Sequence, residues 1–218
     1  MSRQTGPVAP RSAAPDLPVR LEPVAGLERR ADLVQSRIEG LEGEVDAAHS
    51  RLSECVVAAA SVDRLDLAGA TLADVEIEEL RATELVARES RWRSVRVTGG
   101  RIATLDLTNA DLDAVELRGI RIDYLSLGSA RVADLLIADC TIRALDVPGA
   151  TLERVRFEET RADEVDTRGL RAKHLDLRGL DALSYLDPTA LRGATLSPAQ
   201  VALLAQDFAA AFGIDVRD

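Results

Sequence analysis

Residues 101–120 read RIATLDLTNADLDAVELRGI. Apolar residues recur in pairs: Leu105/Leu107, Ala110/Leu112 and Val115/Leu117, with Ile120/Ile122 following across the next boundary. One polar residue separates the members of each pair, namely Asp106, Asp111, Glu116 and Arg121. Two further residues, such as Thr108-Asn109 or Arg118-Gly119, then precede the next pair. A helix advances about 100° per residue, so a step of five scatters around its axis and builds no face. A flat strand would alternate with period two throughout. A short extended segment followed by a corner satisfies the pattern, and a chain of such units must coil.

The five-residue step extends far in both directions. It runs from Cys55 to Leu180 in one phase and from Val57 to Ala182 two residues on. None of these fifty-two positions is charged, although about fifteen would be at the chain's 29% charged composition, so chance is excluded. The second corner residue is Gly69, Gly99, Asn109, Gly119, Gly149, Gly169 or Gly179. A type II turn needs positive φ at that place, which Gly and Asn tolerate. A period of twenty is superimposed: Leu65, Leu85, Leu105, Leu125, Leu145 and Val165 form one column, and Ala70, Ser90, Ala110, Ala130 and Ala150 another. Four units therefore make one turn, with turns about 4.8 Å apart. Trp92 stands in a column of leucines, where its ring is expected to overfill the turn.

The units Ala70-Thr71-Leu72, Ala110-Asp111-Leu112 and Ala150-Thr151-Leu152 resemble those of the pentapeptide-repeat family. The resemblance implies an all-β solenoid, a right-handed quadrilateral β-helix, and covers Cys55–Ala182 most strongly. Many units carry Leu or Val where the family has Ala. That leaves another cross-section open, and the twenty-residue columns argue for four sides.

The flanks divide the rest. Residues 1–25 are Pro-rich and read as a disordered or extended arm. Residues 26–54 form an N-terminal cap or first irregular coil, with two readings. Leu27, Ala31, Val34, Ile38, Leu41 and Val45 follow a heptad, whereas Gly40 and Gly43 oppose a helix. Alternatively the units run backward through Val45/Ala47 and, after a one-residue slip, through Leu41/Gly43 and Ser36/Ile38. The β-helix is expected over 55–196. A capping α-helix over 197–213 follows, opened by Ser197-Pro198-Ala199-Gln200 and apolar at Val201, Leu204, Phe208 and Phe212. It is expected to plug the end or to join two copies, and residues 214–218 are a tail.

The chemistry is sparse. His49 and His174 are isolated, no phosphate loop or nucleophile motif occurs, and Cys140 and Cys55 fall at inward sites. No catalytic residue, cofactor or metal is expected. Net charge −10 disfavours nucleic acid and anionic membranes, and no stretch of about 20 apolar residues occurs. Two cysteines and no signal-like apolar stretch indicate a cytoplasmic protein, and Arg in place of nearly all Lys suggests a GC-rich genome; the family resemblance implies a bacterial, actinobacterial-like origin. What remains is binding through outward columns. One is acidic, with Asp66, Asp106, Asp146 and Asp166; another is basic, with Arg81, Arg101, Arg121 and Arg161. The reading is a non-catalytic scaffold for protein–protein interaction, its partner unidentified, with a homodimer through the C-terminal end possible on this layout. The alternative implied by the resemblance is a DNA-mimicking modulator of DNA gyrase that protects against quinolones, which would need one sign of charge along the rod.

Overall fold

The computed structural model describes residues 6–11 and 14–217; residues 1–5 and 12–13 of the expected arm, and Asp218 of the tail, lie outside them. The chain winds into a parallel β-solenoid of about eight turns ending in two short helices. A regular turn holds one eight-residue strand, such as Thr71–Glu78 or Arg91–Thr98, and one six-residue strand, such as Arg81–Val86 or Arg101–Asp106. The long strands stack into a sheet of eleven and the short ones into a sheet of eight. Each strand bends at an internal corner, so the two sheets present four faces. They are named here by their outward columns. Face 1 carries Thr71, Arg91 and Asp111; face 2 Glu76, Arg96 and Glu116; face 3 Arg81, Arg101 and Arg121; face 4 Asp66, Val86 and Asp106.

The register is twenty residues through the body of the rod. Leu105 pairs with Leu125, and Leu125 with Leu145. All three are buried, as are the columns beside them. Side chains of one kind therefore stack along the axis, each Leu, Ile or Val worth about 1.5–3 kcal/mol when removed from solvent. Polar inward residues return their hydroxyls to the corners: Ser90 Oγ donates to the Ala87 carbonyl at 2.6 Å and Thr160 Oγ1 to the Glu158 carbonyl at 2.8 Å. Trp92 causes no break: it is 1% exposed and in register with Leu72 and Leu112, although its Nε1 finds no partner among the described residues.

Three of the four corners per turn hold their last residue in the left-handed region. In the turn from Thr71 these are Asp74, Glu79 and Glu89, with φ of 53°, 51° and 57°. Glu84, at the corner between faces 3 and 4, is not among them. Gly69, Gly99, Asn109, Gly119, Gly149 and Gly169 adopt the positive φ expected of them. Gly179 does not. Its requirement is space, because a Cβ there would lie 2.2 Å from the Phe157 carbonyl oxygen. Many left-handed corners use residues such as Ala59, Ala114 and Arg154, at a cost of about 1–2 kcal/mol each. The amides of many such corner residues are tied to the next turn, as in Glu79 N–H to Thr98 O at 2.8 Å and Asp139 N–H to Glu158 O at 2.9 Å.

The N-terminal end contains no helix between residues 27 and 55. Strands Asp32–Val34, Ser36–Glu39 and Glu42–Asp46 join the solenoid instead, and Ile38 is fully buried. Ile38 pairs with Val57, a step of nineteen, and the register slips between Gly43 and Glu44 to recover the step of twenty at Val45 and Leu65. Both glycines of this segment, Gly40 and Gly43, take positive φ, which explains why the heptad pattern does not become a helix. Strand Glu22–Val24, inside the segment expected as a disordered or extended arm, adds to Ser36–Ile38.

At the other end the single expected helix is two: α1 (Pro198–Leu203) and α2 (Ala205–Ala211), separated by Leu204 at φ −89° and ψ 5°. Ser197 and Gln200 form the capping box, and Gln200 Nε2 also donates to the carbonyls of Leu177 and Leu180 at 2.7 and 2.8 Å. The residue that caps α1 thereby closes backbone acceptors of the last turns. Leu204 is buried and Phe208 packs on the core, whereas Val201 and Phe212 face solvent.

The inward phase predicts unequal tolerance. Leu125→Asp buries a charge among stacked leucines and is expected to lose several kcal/mol or fail to fold, while Asp111→Ala on face 1 stays within about 0.5 kcal/mol of the parent. Urea denaturation of both variants checks this. Equal midpoints would contradict the phase.

Candidate functional site

The outward columns are the candidate surface, and the two columns singled out by sequence behave differently. On face 4, Asp66, Asp106 and Asp166 turn back onto the backbone. Their Oδ1 atoms accept the N–H of Ala68, Thr108 and Arg168 at 2.9, 3.0 and 3.0 Å. Each carboxylate thus satisfies an amide two residues on, at the start of the corner, in the manner of an Asx turn. Asp176 on face 2 does the same for Arg178 at 3.2 Å. The chemistry explains the residue type: a short side chain with an acceptor is needed beside each such amide.

Asp146 is the exception, and its neighbour supplies the reason. Residue 148 is Pro and has no N–H to offer. Asp146 accepts the Tyr124 hydroxyl instead, at 2.6 Å. That bond and burial together raise the Tyr124 phenol above its ordinary range.

The capping carboxylates are also neutralised in place. Arg88 reaches Asp106, Arg168 holds Asp166, and Arg178 holds Asp176 at 2.7 Å. Asp166 and Asp176 are held below the usual carboxylate range chiefly by these guanidinium hydrogen bonds, against the cost of burial. At Asp106, burial works upward most strongly, but the Thr108 and Arg88 hydrogen bonds together outweigh it and the carboxyl is again low. The acidic column therefore belongs largely to the folding of face 4. Sequence reading assigned it to a surface because the receiving groups are main-chain amides, which leave no mark in the sequence.

Face 3 is different. Arg81, Arg101 and Arg121 stand directly above one another, Thr141 follows, and Arg161 continues the column. One carboxylate serves two of them: Asp123 lies 3.0 Å from Arg101 and 3.9 Å from Arg121. Arg161 has Asp163 at 3.8 Å. Among the described residues Arg81 has no carboxylate within 4.0 Å. The column edges a surface depression of about 830 Å³ to which Asp63, Thr83 and Gly100 also contribute. Gly100 is needed there, since a Cβ would meet the Leu80 carbonyl oxygen at 2.2 Å.

Face 2 pairs its charges fully by contrast. Arg96 sits between Glu76 and Glu116 at 3.4 and 3.2 Å, and Arg118 bridges Glu116 and Asp139. At the C-terminal end, Leu203, Phe212, Ile214 and Val216 are exposed together with Leu183 and Leu186. Of the four residues expected to build the end helix contact, Leu204 and Phe208 face the solenoid, and Val201 and Phe212 face out. Among the described residues no group of three or more His, Cys, Asp or Glu side chains is placed to hold a metal ion. No described helix is long and apolar enough to cross a membrane.

No protein-family model matches the chain, and no curated protein does. Among solved structures, a trypsin-treated form of QnrB1, a plasmid-mediated fluoroquinolone resistance protein, is similar at 15% identity, covering 91% of this chain and 97% of that one with a TM-score of 0.39. A second trypsin-treated QnrB1 form is similar at 14% identity, covering 92% and 100%, with a TM-score of 0.27. At these values the likeness carries no argument about binding.

The capping geometry predicts that Asp106→Ala, which strands the Thr108 amide, costs about 1–2 kcal/mol, whereas Asp146→Ala, with no amide to strand, costs under about 0.5 kcal/mol. Urea titration of the two variants compares them directly. The pH dependence has a defined sign. Asp106, Asp166 and Asp176 bind protons less readily when folded than at the ordinary value of about 3.9. Stability from these groups is therefore fully present above about pH 4 and is lost as pH falls below it.

Proposed function

We propose that the protein is a non-catalytic scaffold of the pentapeptide-repeat type that binds another protein, and that face 3 is its binding face. The observation that supports this is the stack of Arg81, Arg101 and Arg121, with one shared carboxylate between the last two. Like charges stacked at about 4.8 Å repel by roughly 1 kcal/mol per pair even in water. A solvated surface gains nothing from that arrangement. An extended acidic segment lying along the column removes the repulsion and gains charge-assisted hydrogen bonds from the guanidinium forks. Net charge −10 over the whole chain keeps nucleic acid at a distance while the local face attracts carboxylates.

Two copies meeting through the exposed apolar end formed by Leu203, Phe212 and Ile214 are part of the same reading. Buried, unpaired Cys55 and Cys140 suit a reducing compartment, and the bacterial cytoplasm is the location we assign. The second reading, a DNA-mimicking modulator of gyrase, requires a continuous acidic face. It has less support, because the face 4 carboxylates are engaged by backbone amides and arginines.

A fluorescein-labelled oligoglutamate peptide tests the binding face by anisotropy at low and high salt. The parent is expected to bind with a salt-sensitive affinity, and the triple variant Arg81→Gln, Arg101→Gln, Arg121→Gln to lose at least about tenfold. Unchanged affinity in the triple variant would contradict the assignment. Protection of gyrase supercoiling from a quinolone by added protein would favour the second reading.

A further inference from the structure

Face 1 arranges its charge unlike the other three. Residues two apart in an extended strand point the same way, so each strand lays a row of two side chains across this face. At the middle of the rod one row is Arg91 and Arg93, and the next is Asp111 and Asp113, in register with it. Two positive charges thus stand beside two negative ones. All four side chains are exposed. Among the described residues none of the four has an opposite charge within 4.0 Å. The rows on either side are nearly apolar or singly charged: Thr71 with Ala73, and Arg131 with Ala133. Arg11 and Asp16 of the N-terminal segment bond to Asp134 and Asp74 at the corner bordering this face, and the two central rows are open to solvent beside them.

A rod can lay such a face against a second copy about a two-fold axis in two aligned ways. With the rods parallel, each row meets itself, and Arg91 faces the partner's Arg93. With the rods antiparallel, the columns are kept and the rows reversed. An axis between the central rows then sets Arg91 against the partner's Asp111, and Arg93 against the partner's Asp113. The rest of the face agrees with this placement. Eight strands stack on face 1, from Asp32–Val34 to Arg171–Asp176, and the axis falls midway along them. All eight rows therefore overlap. The outermost rows bring Asp32 to the partner's Arg171, and the small residues bring Ala73 to the partner's Ala133. A slip of one turn in either direction sets Arg91 against its own copy or Asp111 against its own copy. A slip of two turns shortens the overlap and parts Arg93 from the partner's Asp113.

We propose that face 1 is a self-complementary surface that joins two copies of this chain side by side as an antiparallel pair, held at its centre by Arg91, Arg93, Asp111 and Asp113 of each copy. In the pair every central charge has an opposite one beside it in its own column and another across the contact. Such alternation gains attraction in both directions and fixes the register against slips that oppose like charges. The face is narrow and polar, so the contact belongs with small, wet, charge-steered interfaces and weakens as salt screens it. It uses neither the arginine column of face 3 nor the apolar C-terminal end, and stands independently of the roles proposed for them.

Charge exchange on the full-length chain tests this. The acidic variant carries Arg91→Asp and Arg93→Asp, and the basic variant Asp111→Arg and Asp113→Arg. Association is read by fluorescence-detected sedimentation, with one labelled protein titrated by each of the others at low salt. The parent is expected to self-associate and to lose at least tenfold in affinity at about 0.5 M salt. The acidic and basic variants together are expected to associate at least tenfold more tightly than either does with itself, because each central row again faces the opposite sign. Overall charge cannot produce that result, since the basic variant is the less acidic chain and would favour its own kind. A third protein with all four exchanges keeps the alternation within its own columns, and so decides the question if a variant with like charges stacked does not fold. It is expected to pair with itself at least tenfold more tightly than with the parent. A parent that stays monomeric at low salt, mixed and self pairings of equal affinity, or a fourfold variant that joins the parent as readily as itself would overturn the proposal. Association that persists unchanged through every exchange would place the contact at the apolar end instead.

Discussion

Everything in the molecule depends on one repeated interaction, the backbone hydrogen bond from one turn to the residue twenty positions away or close to it. At the corners it runs from Ala87 N–H to Asp106 O, from Leu107 N–H to Ser126 O and from Leu127 N–H to Asp146 O, at 2.7, 2.8 and 2.7 Å. Such a bond alone contributes only about 0.5–1.5 kcal/mol net. Repeated at every corner and strand, it fixes the direction in which each side chain points. It also holds residues such as Ala114 and Arg154 in a left-handed conformation they would not adopt alone. Because each turn touches only its neighbours, the rod tolerates a local irregularity. The slip at Gly43 and Glu44 is absorbed within one turn.

The same repetition governs the charges. A column duplicated every twenty residues stacks like on like, and the structure resolves this in three ways. Face 4 turns its aspartates onto backbone amides and adds an arginine to several of them. Face 2 alternates sign, with Arg96 between two glutamates. Face 3 does neither in full, and that incomplete pairing is the basis on which we propose it as the binding face. The distinction lies in what each carboxylate touches, and a count of charges along the sequence cannot draw it.

Sequence legibility follows the same line. The inward phase was readable because the positions that fill the axis carry no charge from Leu65 to Val165; the buried Asp106 and Asp134 lie off that phase. The corner glycines were readable where positive φ requires them, and Gly179 misled because its constraint is contact with the Phe157 backbone. Left-handed Asp74, Glu79 and Arg154 were not readable, since their conformation is imposed from the neighbouring turns. The second task of Gln200, the capping by Asp166 and the bond from Arg11 N–H to Asp134 all involve main-chain partners, which every residue but proline supplies alike. Pro148 shows the converse: by lacking a donor it releases Asp146 to Tyr124.

Disulfide trapping reads the twenty-residue stack directly. In the double variant Arg91→Cys, Asp111→Cys the two residues are paired neighbours on adjacent turns. Their separation falls within the 4.4–6.8 Å that a disulfide spans, given a rung spacing of about 4.8 Å. Mild oxidation is expected to close this pair rapidly and within one chain. The control pair Arg91→Cys, Arg101→Cys, ten residues apart and on different faces, should stay reduced. Closure of the ten-residue pair in preference to the twenty-residue pair would contradict the fold at its root.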